Sequence, residues 1–483
     1  SAGGGKIKIG GDLQGRAGTR TAQRTGIGAG AVITADAIDN GNGGTVIVWA
    51  DNFTSFNGAI SAKGGAQGGN GGFVEVSGKQ SLAFNGTVDT SAANGLKGTL
   101  LLDPATITIV DTVPNINGDG TTGDDITSAG DLDNAAGDFP GANSTITDDA
   151  LEGLLASNSV TLAATSAITV NVQLDWNSAQ SLTLDAPTLN LNANIAPTGA
   201  GTFVGGASVV TINVNLLAPG GGTIGDALVL ASNGDVINVG AGTYNEALTI
   251  NKEVTLNGAQ AGVSAVTGGR TQGGPNESII VATGLTIAAN NVEIDGFDLQ
   301  LNSAGASIIL DTTATARQNF TVTNNFVSNA TFAGGGIGVT GGLGFAGGSN
   351  LISGNAISVT SGSGIGIDHP GGLGAGGSFT VSNNAISGTA FNAISANSND
   401  SLIVSGNTIS MIGSGSGISV ISDASAGVSN ITIGGNTITG AGTGNGIYIQ
   451  DNDADAGTIE LVFQSGNIIS NVGNGVVLSG IGI

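Results

Sequence analysis

Phe56-Asn57-Gly58-Ala59-Ile60 returns as Phe84-Asn85-Gly86-Thr87-Val88, and Gly44-Thr45-Val46-Ile47-Val48 returns as Gly72-Phe73-Val74-Glu75-Val76, both at a shift of 28 residues. A fixed period of this length marks one supersecondary unit laid repeatedly on itself, because a single unit cannot bury its apolar face alone. Within each repeat apolar residues alternate and are then interrupted by Gly or Asn, the pattern of short strands joined by turns.

A second block, from about Val160 to Ala218, has a shorter period: Val160/Leu162 and Ile168/Val170 are followed by Leu182/Leu184 and Leu189/Leu191 about 21 residues on. A third block repeats a turn. Asn325, Asn355, Asn384, Asn407, Asn436 and Asn467 each close a strand such as FTVTNN or LIVSGN, at spacings of 30, 29, 23, 29 and 31 residues. Each precedes a strand beginning near Ile337, Ile365, Ile394, Ile418, Ile447 or Val476. One fixed turn with variable insertions elsewhere is the signature of a parallel β-solenoid, and the six Asn are expected to form a structural ladder along its axis. The fold class is therefore all-β: a right-handed parallel β-helix with two short covering or capping helices. Thr147 is placed to N-cap the first, with Asp148 and Asp149 at its positive end and Leu151, Leu154 and Leu155 on one face. The second is expected over Ile224 to Ala231. The chain divides into coils over 1–110, an acidic excursion with a short helix over 111–159, short-period coils over 160–219 and a longer-period β-helix over 220–483.

Composition narrows the partners. Charged residues are only 10 % of the chain, so Asn, Thr, Ser and the backbone of 87 Gly must cover the surface. The net charge of -24 repels a phosphate backbone or an anionic membrane, and no apolar run approaches the roughly 18 residues of a membrane span. With no cysteine, a disulfide framework is excluded.

GGTVIVWADNFTSFNGAISAKGGAQGGNGGFVEVSGK at Gly43 to Lys79, NGTVDTSAANGLKGTLLLDPATITI at Asn85 to Ile109 and STITDDALEGLLASNSVTL at Ser144 to Leu162 resemble filamentous-haemagglutinin-type exoproteins of two-partner secretion, over about residues 3–217. The resemblance implies a large protein of a double-membrane bacterium, exported through a dedicated outer-membrane pore and displayed as a β-helical fibre. The secretion domain with NPNG-type motifs that normally precedes this region is missing from these residues, so that export route is expected for a parent chain. GDVINVGAGTYNEALTINKEVTLNGAQAG at Gly234 to Gly262 and LTIAANNVEIDGF at Leu285 to Phe297 resemble the opening coils of pectate-lyase-like right-handed β-helices, over about 220–483. That resemblance implies the fold and leaves the activity open.

A β-helix lyase needs an Arg or Lys base and carboxylates that hold calcium. Only Lys252, Arg270 and Arg317 offer the cation in the third block, none beside a carboxylate cluster in sequence. A hydrolase needs paired carboxylates, for which Asp295 and Asp298 are the close pair on a strand; turn and surface positions are the expectation for both. The single His369 precedes Pro370 in a Gly-rich turn with no partner constellation. GGGTIG at 220–225, with Glu246 some 20 residues on, and GLGFAG at 342–347 fit a dinucleotide fingerprint only formally, because no alternating β-α pattern surrounds them. Calcium is the one cofactor for which side chains are offered: Asp451, Asp453 and Asp455 alternate in DNDADAG, and Asn115, Asn117 and Asp119 precede Gly120. Both runs depart from an EF-hand loop, so neither is assigned as a metal site and solvated loop carboxylates are the default reading.

The expected function is structural: a secreted, surface-displayed solenoid acting as adhesin, matrix component or filament subunit, at the cell surface or outside the cell, without catalysis. A carbohydrate-active enzyme is the alternative, to be marked by a groove with clustered carboxylates beside Arg270 or Arg317. Ice or crystal-surface binding is the third, to be marked by a continuous outward Thr column, which runs such as Thr106-Ile107-Thr108 and Thr437-Ile438-Thr439 do not build in the sequence. Expected partners are host or surface glycans and, because Asn474 to Ile483 reads as strand material of an unfinished coil, further coils of a longer chain or copies stacked end to end.

Overall fold

The computed structural model describes residues 3–16, 18–112, 144–216, 221–301, 306–311, 315, 317–329, 335–340, 348–360, 362–367, 377–389, 391–397, 401–422, 428–451 and 458–480. They form two compact units, Ser1–Ser232 and Asn233–Ile483. Each is a stack of right-handed coils whose strands pair in parallel with those of the coils above and below.

In the first unit the 28-residue period holds on three sides of a coil at once, with Thr45 opposite Phe73, Phe53 opposite Ser81 and Ala59 opposite Thr87. Alternation along each strand puts Val46, Val48, Val74, Val76, Leu100 and Leu102 inside. Phe56 and Phe84 stack on the axis with ring centroids 5.3 Å apart. Further along the period shortens to 21, with Ala167 opposite Thr188 and Ser181 opposite Thr202.

The first helix spans Asp148–Leu155, with the Thr147 hydroxyl accepting from Ala150 N and Leu151, Leu154 and Leu155 buried. Asn158, fully buried, fastens its end: Nδ2 donates to Leu154 O and Val88 O, while Oδ1 accepts from Thr90 N and Thr90 Oγ1. The segment before this helix is not wholly a surface excursion. Strand Ser144–Thr147 pairs with Ser81–Phe84 on one side and Thr106–Val110 on the other, and Thr106–Val110 then pairs with Ala167–Val170. The stacking order therefore departs from the chain order. The cause is local: Ser144 and Ile146 alternate inward, and the Ser144 hydroxyl accepts the Leu82 N–H at 2.9 Å. The second helix covers Ile224–Leu230, capped by Thr223 and burying Ile224, Ala227, Leu228 and Leu230.

Among the described residues, the second unit lays nine strands on each of three faces, two of them sheets of their own and the first part of a larger sheet. Sheet I begins at Val236–Val239 and Thr255–Asn257 and ends at Thr458–Phe463; sheet II runs from Gly242–Tyr244 to Ile468–Ser470; sheet III runs from Leu248–Ile250 to Asn474–Ser479. The corner from sheet I to sheet II explains the sequence repeat. One residue there turns left-handed, at Gly296, Asn324, Gly354, Asn383, Gly406, Gly435 and Gly466, with φ between 56° and 89°. Only Gly and, at small cost, Asn adopt that geometry, hence the dipeptides Gly-Asn and Asn-Asn. Among the described residues no helix is long and apolar enough to cross a membrane.

Candidate functional site

The residue after each left-handed corner points inward. Asn325, Asn355, Asn384, Asn407 and Asn436 are buried to 1 % exposure or less. From Asn355 to Asn467, each side-chain Oδ1 accepts both the backbone N–H and an Nδ2–H of the Asn one coil earlier, at 2.9 to 3.1 Å. Phe297 N starts the ladder by donating to Asn325 Oδ1, and half-buried Asn467 ends it by donating to Ile433 O and Gln464 O. Every amide spends its hydrogen bonds on backbone or on the next amide, so the ladder holds coils together and offers nothing to a substrate.

Three residues beyond each ladder Asn lies a hydroxyl: Ser328, Ser358, Ser387, Ser410, Thr439 and Ser470. Alternation turns it outward, and successive coils place all six in one register column on the outer face of sheet II. Beside it runs a column of Phe326, Ala356, Ala385, Thr408, Thr437 and Ile468. Four coils of this face form a shallow groove of about 240 Å³ floored by Ala356, Ala385 and Thr408, edged by Ser358, Ser387 and Ser410, and met at one end by Gln272 and Phe326. No residue lining it carries a charge.

The wall at that end is the 258–277 loop. Arg270 and Glu277 pair there at 2.5 Å with side chains 2 % and 3 % exposed. Arg270 Nε donates to Glu277 Oε1, Nη2 to Glu277 Oε2 and Phe297 O, and Nη1 to Val263 O and Asn324 O. All five N–H groups are used, and the guanidinium carbon sits 4.9 Å from the centre of the Phe326 ring. Asp295 and Asp298 are not turn or surface carboxylates: they are 8 % and 0 % exposed. Asp295 accepts from Gly262 N and Asn324 Nδ2, and Asp298 from Gly273 N and from the side chains of Gln272 and Gln300. The loop folds over the outer face of Phe297–Leu301 and buries carboxylates that the strand pattern alone would leave in water. The sequence-predicted Arg270, Asp295 and Asp298 thus come together, with Glu277, as the clasp of a loop.

Other candidates stay apart from this groove's lining. Arg317 donates to Asp311 O at 3.0 Å, and burial pulls the Lys252 ammonium below its usual range, partly countered by Asp235. Asp451 is half-buried at the end of strand Asn445–Asp451; Asp453 and Asp455, His369, and Asn115, Asn117 and Asp119 lie outside the described residues. Among the described residues no group of three or more His, Cys, Asp or Glu is arranged to hold a metal ion.

Two arrangements escaped sequence reasoning. The hydroxyl column carried a signal, the sixfold Asn-x-(Ile/Val)-(Ser/Thr) that follows each corner. Glu75 carried none: it faces outward on Phe73–Gly78 yet is fully buried, and desolvation pushes its carboxyl up to about 7 against the hydrogen bond from Gln14 N.

Fold and surface together define the class, a two-unit parallel β-solenoid with a clasped groove on one side. Compared with known proteins, the chain matches no family model and no curated protein.

Proposed function

We propose that the chain is a secreted, surface-displayed structural β-solenoid, an adhesin, matrix component or filament subunit of a double-membrane bacterium. The observation that carries the reading is the six-coil hydroxyl column of sheet II with its uncharged groove. A face that repeats the same contact at every coil suits an extended partner, such as a surface glycan, and multivalent contact makes weak single contacts count. Saturation of Arg270 by five acceptors favours this reading over a lyase that would use it as base. The test is electron microscopy of the native material combined with binding of the purified chain to immobilised neutral and acidic glycans. Absence of both filaments and retention on the glycans would reject the reading.

A second reading, binding to an ordered surface such as ice, draws on the same column, which is continuous but built mostly of Ser rather than of the Thr that would mark such binding. Inhibition of ice recrystallisation, lost on Ser387→Lys, would support it.

A further inference from the structure

The first unit carries a strap on the outer face of its seven-stranded sheet. Residues 10–16 leave that face and residues 18–22 return to it, closed at the base by Ala22 N donating to Gly10 O at 2.6 Å. Asp51 N donates to Ala22 O at 2.8 Å, and the Thr21 hydroxyl donates to Asp51 Oδ2 at 2.5 Å. The tip crosses three coils. It lies on the Trp49 indole so closely that a Cβ on Gly11 or Gly15 would stand 2.6 Å from a ring atom. It reaches Glu75 through Gln14 N, which donates to both carboxylate oxygens at 3.1 Å, and Asp103 through Gln14 Nε2 at 3.0 Å. Gln14 makes both contacts from a left-handed conformation, φ 50°, that a residue with a side chain adopts only when its surroundings hold it there. Beneath lies an outward apolar patch: Ile47, Trp49 and Leu101 are 1 %, 3 % and 9 % exposed.

The charges bearing on Glu75 have the wrong sign. They are Asp103, beyond the end of strand Thr99–Leu102, and Asp12, on the strap itself. Lys8, which shares a column with Ile47 of the neighbouring strand, is engaged by Asp12 and holds that carboxyl below its usual range. The strand Thr45–Ala50 brings no ionisable side chain.

We propose that residues 10–16 are a pH-gated strap, closed over Trp49 and Ile47 in acid and lifted as the pH rises to neutral. Closed, the strap keeps water from Glu75 and supplies it one N–H; a protonated carboxyl tolerates that site, whereas an ionised one faces two carboxylates there without a cation. Burial raises both Glu75, to about 7, and Asp103. A carboxyl whose folded value is raised contributes stability that is fully present below its unfolded value and is lost as the pH rises through the folded one, so both groups loosen the closed strap in the same direction. Lifting the tip hydrates both carboxylates and uncovers the apolar patch.

The experiment is acrylamide quenching of tryptophan fluorescence in the full chain from about pH 5 to about pH 9, with Trp49→Phe to separate Trp49 from buried Trp176. A rise of about threefold in quenching, centred near neutral and absent from Trp49→Phe and Glu75→Gln, is expected. A flat profile, or the same rise in Glu75→Gln, overturns the proposal. Should Glu75→Gln lose its native circular dichroism, hydrogen exchange at the Gln14 amide of the unaltered chain decides. Acceleration by about tenfold beyond the trend of other surface amides supports the strap, and exchange along that trend overturns it.

Discussion

At the corners of the first unit backbone meets backbone: a Cβ on Gly71 would stand 1.7 Å from Thr90 O, and one on Gly98 would stand 1.9 Å from Gly72 O. The corner between sheets I and II of the second unit instead buries an amide at five successive coils, Asn325 to Asn436, and this inward Asn carries hydrogen bonds that the first unit leaves on the outside. There Asn192 Nδ2 donates to Asn171 Oδ1 at 2.8 Å and Asn215 Nδ2 to Asn192 Oδ1 at 3.0 Å, partly in water. The first solution is fixed by size and the second by polarity. A glycine corner tolerates no added atom but costs little in unmet hydrogen bonds. A buried amide tolerates changes of size around it but not the loss of one donor or acceptor.

Substitutions can break this contrast, beginning with the largest expected effect. Asn384→Leu leaves the N–H and an Nδ2–H of Asn355 without their acceptor and removes the donor to Ile352 O, so a loss of about 4 kcal/mol is expected in urea unfolding. Asn192→Leu, the outward counterpart, is expected to lose about 0.5 kcal/mol; equal losses would show that ladder burial does not matter. Glu75→Gln sharpens the polar side of the contrast. Below about pH 4.5 both side chains are neutral at this position and the two proteins match in stability, whereas above neutral pH the variant is expected to be the more stable, by up to about 3 kcal/mol, the difference being capped by what lifting the strap costs. A stability difference independent of pH would dismiss the cause given for Glu75. Gly71→Ala is expected to lose about 2 kcal/mol, read as a lower thermal midpoint, because backbone rather than a flexible side chain must move. Gly435→Asn should stay within about 0.5 kcal/mol of the parent, since Asn324 and Asn383 already hold the equivalent corner at φ 56°. A large loss there would mean that something besides the left-handed backbone selects glycine.

How far the sequence could be read follows the same division. Corners were legible because a left-handed residue admits few side chains and the ladder admits one, so Gly-Asn and Asn-Asn mark six successive coils of the third block. The 28-residue period was legible because three strand pairs repeat it together. The first helix was legible from Thr147 as a cap ahead of apolar residues, and the second was expected over Ile224 to Ala231, where the structure adds Thr223 as its cap. What lies outside the coils was not. Glu75, Asp295 and Asp298 occupy outward strand positions, where alternation predicts solvent, and are buried only because loops from distant positions close over them. Arg270 looked isolated because Glu277 meets it only after the 258–277 loop has folded back.

The strand Ser144–Thr147 bears on the time order of folding. A solenoid released from one end can ordinarily close coil by coil, each finished coil serving as template for the next. Here Ser81–Phe84 takes as its neighbour a strand that comes later in the chain than Thr106–Val110, and Thr106–Val110 docks on that same latecomer. A chain emerging amino-terminus first therefore reaches Phe84 with a seat that the next strand must not take, and it waits there until residue 147 is free. The pause is set by the length of chain still to be delivered rather than by local propensity, so arrest of the emerging chain short of Ser144 should leave the lower coils formed and the edge of Ser81–Phe84 open to the wrong partner.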